Sequence, residues 1–290
     1  MTGPSGGPVT SSGESATSPP AGPDYRSVEG LDIHLRDAVL WLRLDRPTLR
    51  NAIDDTMLAG LVDAIDAAGR DERVRAIHLT GNGDHFCGGA DIVARNANTV
   101  SRPRVGAIQR RLPSQAHRLL PLLCSVQVPV VCAVRGWAAG IGMQLAVAAD
   151  FTVAATDARF WEPFATRGFT PDSGATWLLP RAVGLARARE LLVLGRQLTG
   201  AEAEAWGLVH RAVPADEVDR LAAELATTLA GGPTVSLGLT KWLLHAGTSS
   251  SLEDQLRNEA FALELSSRSE DFREGLRAFS ERRPPEFHGR

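Results

Sequence analysis

Residues Val128–Ala154 read VPVVCAVRGWAAGIGMQLAVAADFTVA, and their pattern decides the class of the fold. VPVVCAVRG (Val128–Gly136) is a β-branched run without polar alternation, as in a strand buried on both faces. AGIGMQLAVAAD (Ala139–Asp150) is apolar all round, the mark of a helix enclosed by protein. FTVAAT (Phe151–Thr156) returns to strand character. Strand, helix and strand in succession imply a βαβ crossover and a parallel sheet covered on both sides.

The same alternation extends in both directions. VLWLRLDRP (Val39–Pro47) alternates as a strand and stops at proline. In Asp54–Asp71, Met57, Leu58, Leu61, Val62, Ile65 and Ala68 share one helical face behind an acidic start. VRAIHLTGNGD (Val74–Asp84) is a strand that ends in turn chemistry. The expected organisation is a Gly/Pro/Ser-rich tail over residues 1–25, too poor in apolar side chains to offset chain entropy, and an α/β core over 26–200. A helical region then covers 201–290.

Composition narrows the function classes. The chain has 290 residues, is 43% hydrophobic and 22% charged, and carries a net charge of -3, which offers no basic surface for nucleic acid. No apolar run is long enough for a membrane span, and the tail lacks the basic start and apolar core of a secretory signal. Three cysteines, Cys87, Cys124 and Cys132, sit in apolar segments, which fits reduced, buried thiols and a cytoplasmic location. His85 and Cys87 lie close together, but two ligands do not make a metal site, and none is expected.

Two glycine-rich turns carry the chemistry. GNGDHFCGGADI (Gly81–Ile92) and RGWAAGIGMQL (Arg135–Leu145) each follow an apolar strand and lead into a helix, so backbone N–H groups are presented at a positive dipole end. Neither matches a phosphate-loop or dinucleotide fingerprint. With LDRPTLRNAID (Leu44–Asp54), FTPDSGATWLLPRAVG (Phe169–Gly184), LTGAEAEAWGLVHRAVP (Leu198–Pro214) and SEDFREGLRAFSERRPPEF (Ser269–Phe287), they resemble the crotonase, or enoyl-CoA hydratase/isomerase, superfamily. The resemblance spans residues 28–290 with the motifs in family order. It implies an α/β spiral of ββα units with a helical C-terminal trimerisation region, hence a homotrimer or homohexamer. It also implies an acyl-CoA thioester substrate, with CoA entering as part of the substrate and no other cofactor.

By that resemblance, the oxyanion hole falls on the backbone N–H groups of Ala90 and Ile141, flanked by Gly89, Asp91 and Gly140. Ile141 departs from the family's usual glycine and narrows the space beside the donor. Fixed N–H dipoles aimed at a thioester oxygen stabilise the enolate that forms when an α-proton leaves. Family hydratases use two glutamates to activate water, and here those positions hold Gln144 and Phe164. Neither an amide nor a phenyl ring exchanges protons near neutral pH.

Asp172 is the remaining acid/base candidate. GFTPDSGAT (Gly168–Thr176) resembles the segment that carries a catalytic aspartate in dienoyl-CoA isomerases and in ring-epoxide isomerases of phenylacetate degradation. One carboxylate can move a proton between two carbons, and an apolar acyl pocket would raise its pKa by desolvation. The bland alternative is that Asp172 caps a helix. Glu162 is a rival carboxylate two residues before Phe164, and Gln144 a polar contact. Trp137 and Phe164 are expected around the acyl chain, and Arg50, Phe279 and Arg282 around CoA. His85, His117 and His245 show no partner pattern and read as structural.

The sequence thus points to an acyl-CoA isomerase of lipid or related acyl metabolism. A hydratase with rearranged carboxylates and a non-catalytic acyl-CoA binder are the alternatives.

Overall fold

The computed structural model describes residues 22–91, 104–114 and 116–290. The expectation for the tail therefore lies almost wholly outside the described residues. Its last residues are anchored, however: the Tyr25 hydroxyl donates to Asp71 (3.1 Å) and Arg73 donates to the Pro23 carbonyl (2.6 Å). The ordered chain begins before residue 26.

Two sheets share the chain. β1 (Leu31–Arg36) and β2 (Val39–Leu44) form an antiparallel hairpin, with Leu31 opposite Leu44 and Arg36 opposite Val39. Its two-residue turn uses Asp37 and Ala38, both at positive φ, as a twist-matched hairpin turn requires. β3 (Ala76–Gly81), β4 (Val130–Val134), β6 (Phe151–Ala155) and β9 (Arg211–Val213) add in parallel, giving the order β1-β2-β3-β4-β6-β9. The second sheet holds β5 (Trp137–Ala139), β7 (Arg159–Trp161) and β8 (Gln197–Thr199) in the order β5-β7-β8.

The stretch Val128–Ala154 is thus richer than a simple crossover. The chain leaves the large sheet at β4, gives β5 to the small sheet, turns through helix α4 (Ile141–Ala148), and re-enters the large sheet at β6. β4, β5 and α4 form one ββα winding, as do β6, β7 and the helix Ala175–Leu192, and this alternation between two sheets makes a spiral. Residues 130–134 are buried throughout, as their unbroken apolar character demands.

Helix α1 (Asp55–Ala68) buries the predicted stripe of Met57, Leu58, Leu61, Val62, Ile65 and Ala68. It starts where Asp54 accepts a hydrogen bond from the Met57 N–H (2.9 Å). Helices α2 (Ala107–Arg111) and α3 (Ala116–Ser125) follow the first glycine turn, and α5 (Ala175–Leu192) follows Asp172. Helix α6 (Gly200–Ala205) opens with a capping box between Thr199 and Glu202.

The sheet extends past residue 200, because β9 pairs with β6 and α7 (Val218–Ala230) covers β3 and β4 with Val218, Ala222, Ala226 and Ala230. The separate helical end comprises α8 (Thr234–Gly247), α9 (Leu252–Ser266) and α10 (Glu270–Glu281). Two basic side chains fasten it to the core. Buried Lys241 donates to Asp150 (2.7 Å) and to the Leu123 carbonyl (2.8 Å). Arg75, just ahead of β3, donates to the carbonyls of Gly232 (2.6 Å) and Phe287 (3.1 Å).

Candidate active site

The first glycine turn is held from both sides. Gly88 N–H donates to the Arg50 carbonyl (2.7 Å), Ile53 N–H to Gly89 (2.9 Å), and Asp91 N–H to Ile53 (2.9 Å). On the other side, Cys87 N–H donates to Trp137 (2.8 Å) and Ala139 N–H to Cys87 (2.9 Å). Residues 87–91 therefore bridge the Arg50–Ile53 loop and β5. Among the described residues, the N–H of Ala90 has no acceptor.

The second turn is set by geometry that only glycine tolerates. Gly140 has φ 52° and ψ -124° at the start of α4, outside the wells open to an L side chain. Its N–H donates to the Trp161 carbonyl (2.9 Å), which ties the turn to β7. Gly142, two residues on, lets α4 lie against Cys87: an added Cβ would come within 2.6 Å of the Cys87 Cβ. Ile141 follows Gly140 with a free first-turn N–H, and among the described residues it too has no acceptor.

Ala90, Ile141, Gly89 and Gly140 line one cavity of about 1040 Å³. Asp172 and Phe164 line it as well, together with Phe169, Arg167 and His117. Phe164 and Phe169 meet edge to face with centroids 5.3 Å apart, so aromatic surface forms part of the wall. The structure brings His117 to this wall, where the sequence offered only a structural reading.

Asp172 does not cap α5. The N-cap is Gly174, without a side-chain capping bond, and among the described residues the Asp172 carboxylate accepts only from the Ser173 hydroxyl (3.2 Å). Ser173 and Gly174 both take positive φ, which turns the chain sharply and leaves the preceding carboxylate on the cavity side. Asp172 itself is exposed.

Desolvation acts on Glu162. This side chain is fully enclosed (0% exposed), and burial, reinforced by the charge of Asp172, pushes its pKa well above the usual carboxylate range. Gln144, also 0% exposed, lies beside it on α4, and its side chain opposes that shift more than Asp172 reinforces it, though less than burial drives it. Neither the amide nor the carboxyl group completes a hydrogen bond of good geometry, and all four of their polar atoms are enclosed.

Several expected contacts lie away from the cavity. Asp91 stands behind the turn, where it pairs with Arg46 (3.1 Å), because a carboxylate this buried needs a cation. Trp137 packs against Trp161 with centroids 6.0 Å apart. Arg50 is exposed and serves through its backbone carbonyl. Phe279 (85% exposed) and Arg282 sit at the end of α10, outside the cavity of this chain. Cys87 is no nucleophile: burial raises its thiol pKa to about 12. His85 accepts from the Trp137 N–H (3.4 Å), and no three potential metal ligands cluster among the described residues.

Asn51 escaped the sequence analysis. Fully buried, its amide donates to the Asn82 (2.9 Å) and His85 (2.6 Å) carbonyls and accepts from Arg46 N–H (2.8 Å), locking the loop before Ile53 to the first glycine turn. The only signal was a polar residue inside a quoted motif.

Comparison with known proteins agrees with this geometry. The family model described as enoyl-CoA hydratase/isomerase matches residues 34–290. The 1,2-epoxyphenylacetyl-CoA isomerase of Escherichia coli K12 is 38% identical over 258 residues, covering 89% of this chain and 97% of that one. The 2,3-dehydroadipyl-CoA hydratase of the same organism is 32% identical, covering 90% and 99%. The crystal structure of an enoyl-CoA hydratase/isomerase from Cupriavidus metallidurans CH34 superposes with a TM-score of 0.83 at 31% identity, covering 91% and 98%. No helix among the described residues is long and apolar enough to cross a membrane. The spiral of two sheets, the paired glycine turns and these likenesses place the chain in the enoyl-CoA hydratase/isomerase family, whose members are crotonase-fold enzymes acting on acyl-CoA thioesters.

Proposed function

We propose that the protein is an acyl-CoA isomerase that moves a proton, and with it a double bond, through Asp172. The thioester oxygen of the substrate sits between the Ala90 and Ile141 N–H groups. The Asp172 carboxylate takes a proton from one carbon, the electron pair left behind is delocalised onto that oxygen, and the carboxylic acid so formed returns the proton to another carbon. Each amide donor contributes on the order of 3–4 kcal/mol to the enolate-like transition state.

One observation carries this reading: a carboxylate free of capping duty shares a cavity with two turn residues whose amides have no acceptor among the described residues. The 38% identity to an isomerase supports it. Hydration through a pair of carboxylates is less well served, because Glu162 is not among the residues that line the cavity with Asp172. Exposed apolar residues on α8–α10, among them Trp242, Leu256, Phe261 and Leu276, support self-association through the helical end.

The test is a paired assay of double-bond migration and hydration on a panel of enoyl-CoA esters. Isomerisation lost in folded Asp172→Asn is the expected result. Full isomerisation by that variant excludes the assignment, and tight ester binding without any turnover identifies a carrier instead.

A further inference from the structure

Glu162 and Gln144 pose a problem of hydrogen-bond bookkeeping. Four enclosed polar atoms, both carboxyl oxygens and the amide oxygen and nitrogen, face a shared interior with no other partner among the described residues. An ionised carboxylate is acceptor-only: it can accept from the Gln144 N–H, but it leaves the Gln144 oxygen without a donor and keeps a charge in a medium that penalises both. A protonated carboxyl is complementary: its O–H donates to the amide oxygen and its carbonyl accepts from the amide N–H. A small side-chain adjustment then satisfies all four atoms.

Position gives that pair a consequence. Gln144 lies one turn into α4 from Ile141, a proposed oxyanion donor. Glu162 directly follows Trp161, whose carbonyl holds the Gly140 N–H. The charged group that acts on Glu162 is Asp172, from the loop before α5. Helix α4 contributes only the neutral amide, and Arg167, on the turn after Glu162, stands over the Trp161 ring (5.7 Å) on the other face of the strand.

Resting on the isomerase reading, we propose that Glu162 is a positioning residue that keeps its proton through turnover in a cyclic acid–amide pair with Gln144. It thereby withholds a negative charge from the thioester oxyanion and from Asp172. No proton leaves Glu162 at any step; its part is to stay neutral where an enolate forms. Burial, the largest influence, and the nearby Asp172 charge act in that direction and outweigh the opposing Gln144 side chain.

Infrared difference spectra between the wild type and Glu162→Gln at pH 7 test the idea, read together with pH profiles of kcat. The expected spectrum contains the carbonyl band of a protonated carboxylic acid in the wild type alone. The expected profile falls at alkaline pH in the wild type, tenfold per pH unit once Glu162 ionises, and flattens in the variant. Carboxylate bands at position 162, or an alkaline limb that persists in Glu162→Gln, overturns the proposal.

Should that variant fail to fold, carboxyl-labelled glutamate in the wild-type protein serves as the readout. One protonated glutamate resonance at pH 7 is expected, and its absence is decisive against the proposal. A protonated Glu162 alongside a fully active Asp172→Asn sinks the isomerase reading and leaves the acid–amide pair intact. An ionised Glu162 alongside an inactive Asp172→Asn sinks only the pair.

Discussion

Two walls of the cavity are built on opposite plans. One consists of main chain: Gly88–Ala90 and Gly140–Ile141, braced by ladder bonds to Arg50, Ile53, Cys87 and Trp161. The other runs from Pro163 to Thr176, is mostly exposed beyond Phe164, and contributes side chains. In the proposed reaction the main-chain wall fixes where the thioester oxygen sits, and it depends on side chains only where the turn demands glycine, as at Gly140. The side-chain wall would then decide what happens to the rest of the substrate.

Removing the acid/base group from the side-chain wall is the severest way to break this division. Asp172→Asn is expected to lower kcat by about 10²–10⁴-fold with little change in KM, measured by steady-state isomerisation. Next comes Gly140→Ala on the main-chain wall. A methyl group at φ 52°, ψ -124° forces the turn to rearrange and re-aims the Ile141 N–H. A loss of about 10²–10³-fold in kcat is expected, and an unimpaired Gly140→Ala enzyme would remove Ile141 from the oxyanion role.

A third test strikes the support behind the turn. Asn51→Ala leaves two buried carbonyls and one N–H unpaired, so a loss of about 1–3 kcal/mol is expected in denaturant titrations. A fourth effect is graded by pH. Because burial raises the Glu162 pKa in the folded protein well above its ordinary value of 4.5, the folded state holds that proton to higher pH than the unfolded chain, and rising pH favours unfolding. The wild type should lose about 1.4 kcal/mol per pH unit relative to Glu162→Gln above that point, until Glu162 ionises in the folded state. A stability difference that ignores pH contradicts a buried, protonated Glu162.

Legibility in the sequence followed element length and the reach of each contact. Strand β2 and helix α1 announced themselves through apolar period, and β3, β4, β6 and α4 through unbroken apolar runs, because each spans enough residues for a pattern to show. Strands β5, β7, β8 and β9 have three residues each, too few for any period, so the second sheet and the continuation of the large sheet past residue 200 were not readable.

At the site, Asp172 stood out because its turn chemistry is local. Asn51 did not, since its partners Asn82 and His85 lie 31 and 34 residues away. Asp91 looked like a substrate contact until its distant partner Arg46 was seen. Glu162, between a tryptophan and a proline, carried no mark of enclosure, because what buries it comes from α4 and the loop before α5.

Arg75 has a kinetic consequence. Its guanidinium joins main-chain oxygens 157 and 212 residues further along, so this fastening cannot form until nearly the whole polypeptide is in place. Contacts of such separation carry a large loop-closure cost and slow the search for the native topology. Refolding should therefore show the spiral acquiring hydrogen-exchange protection first and the α8–α10 segment last, with Arg75→Met speeding release of that segment more than it slows collapse of the sheets.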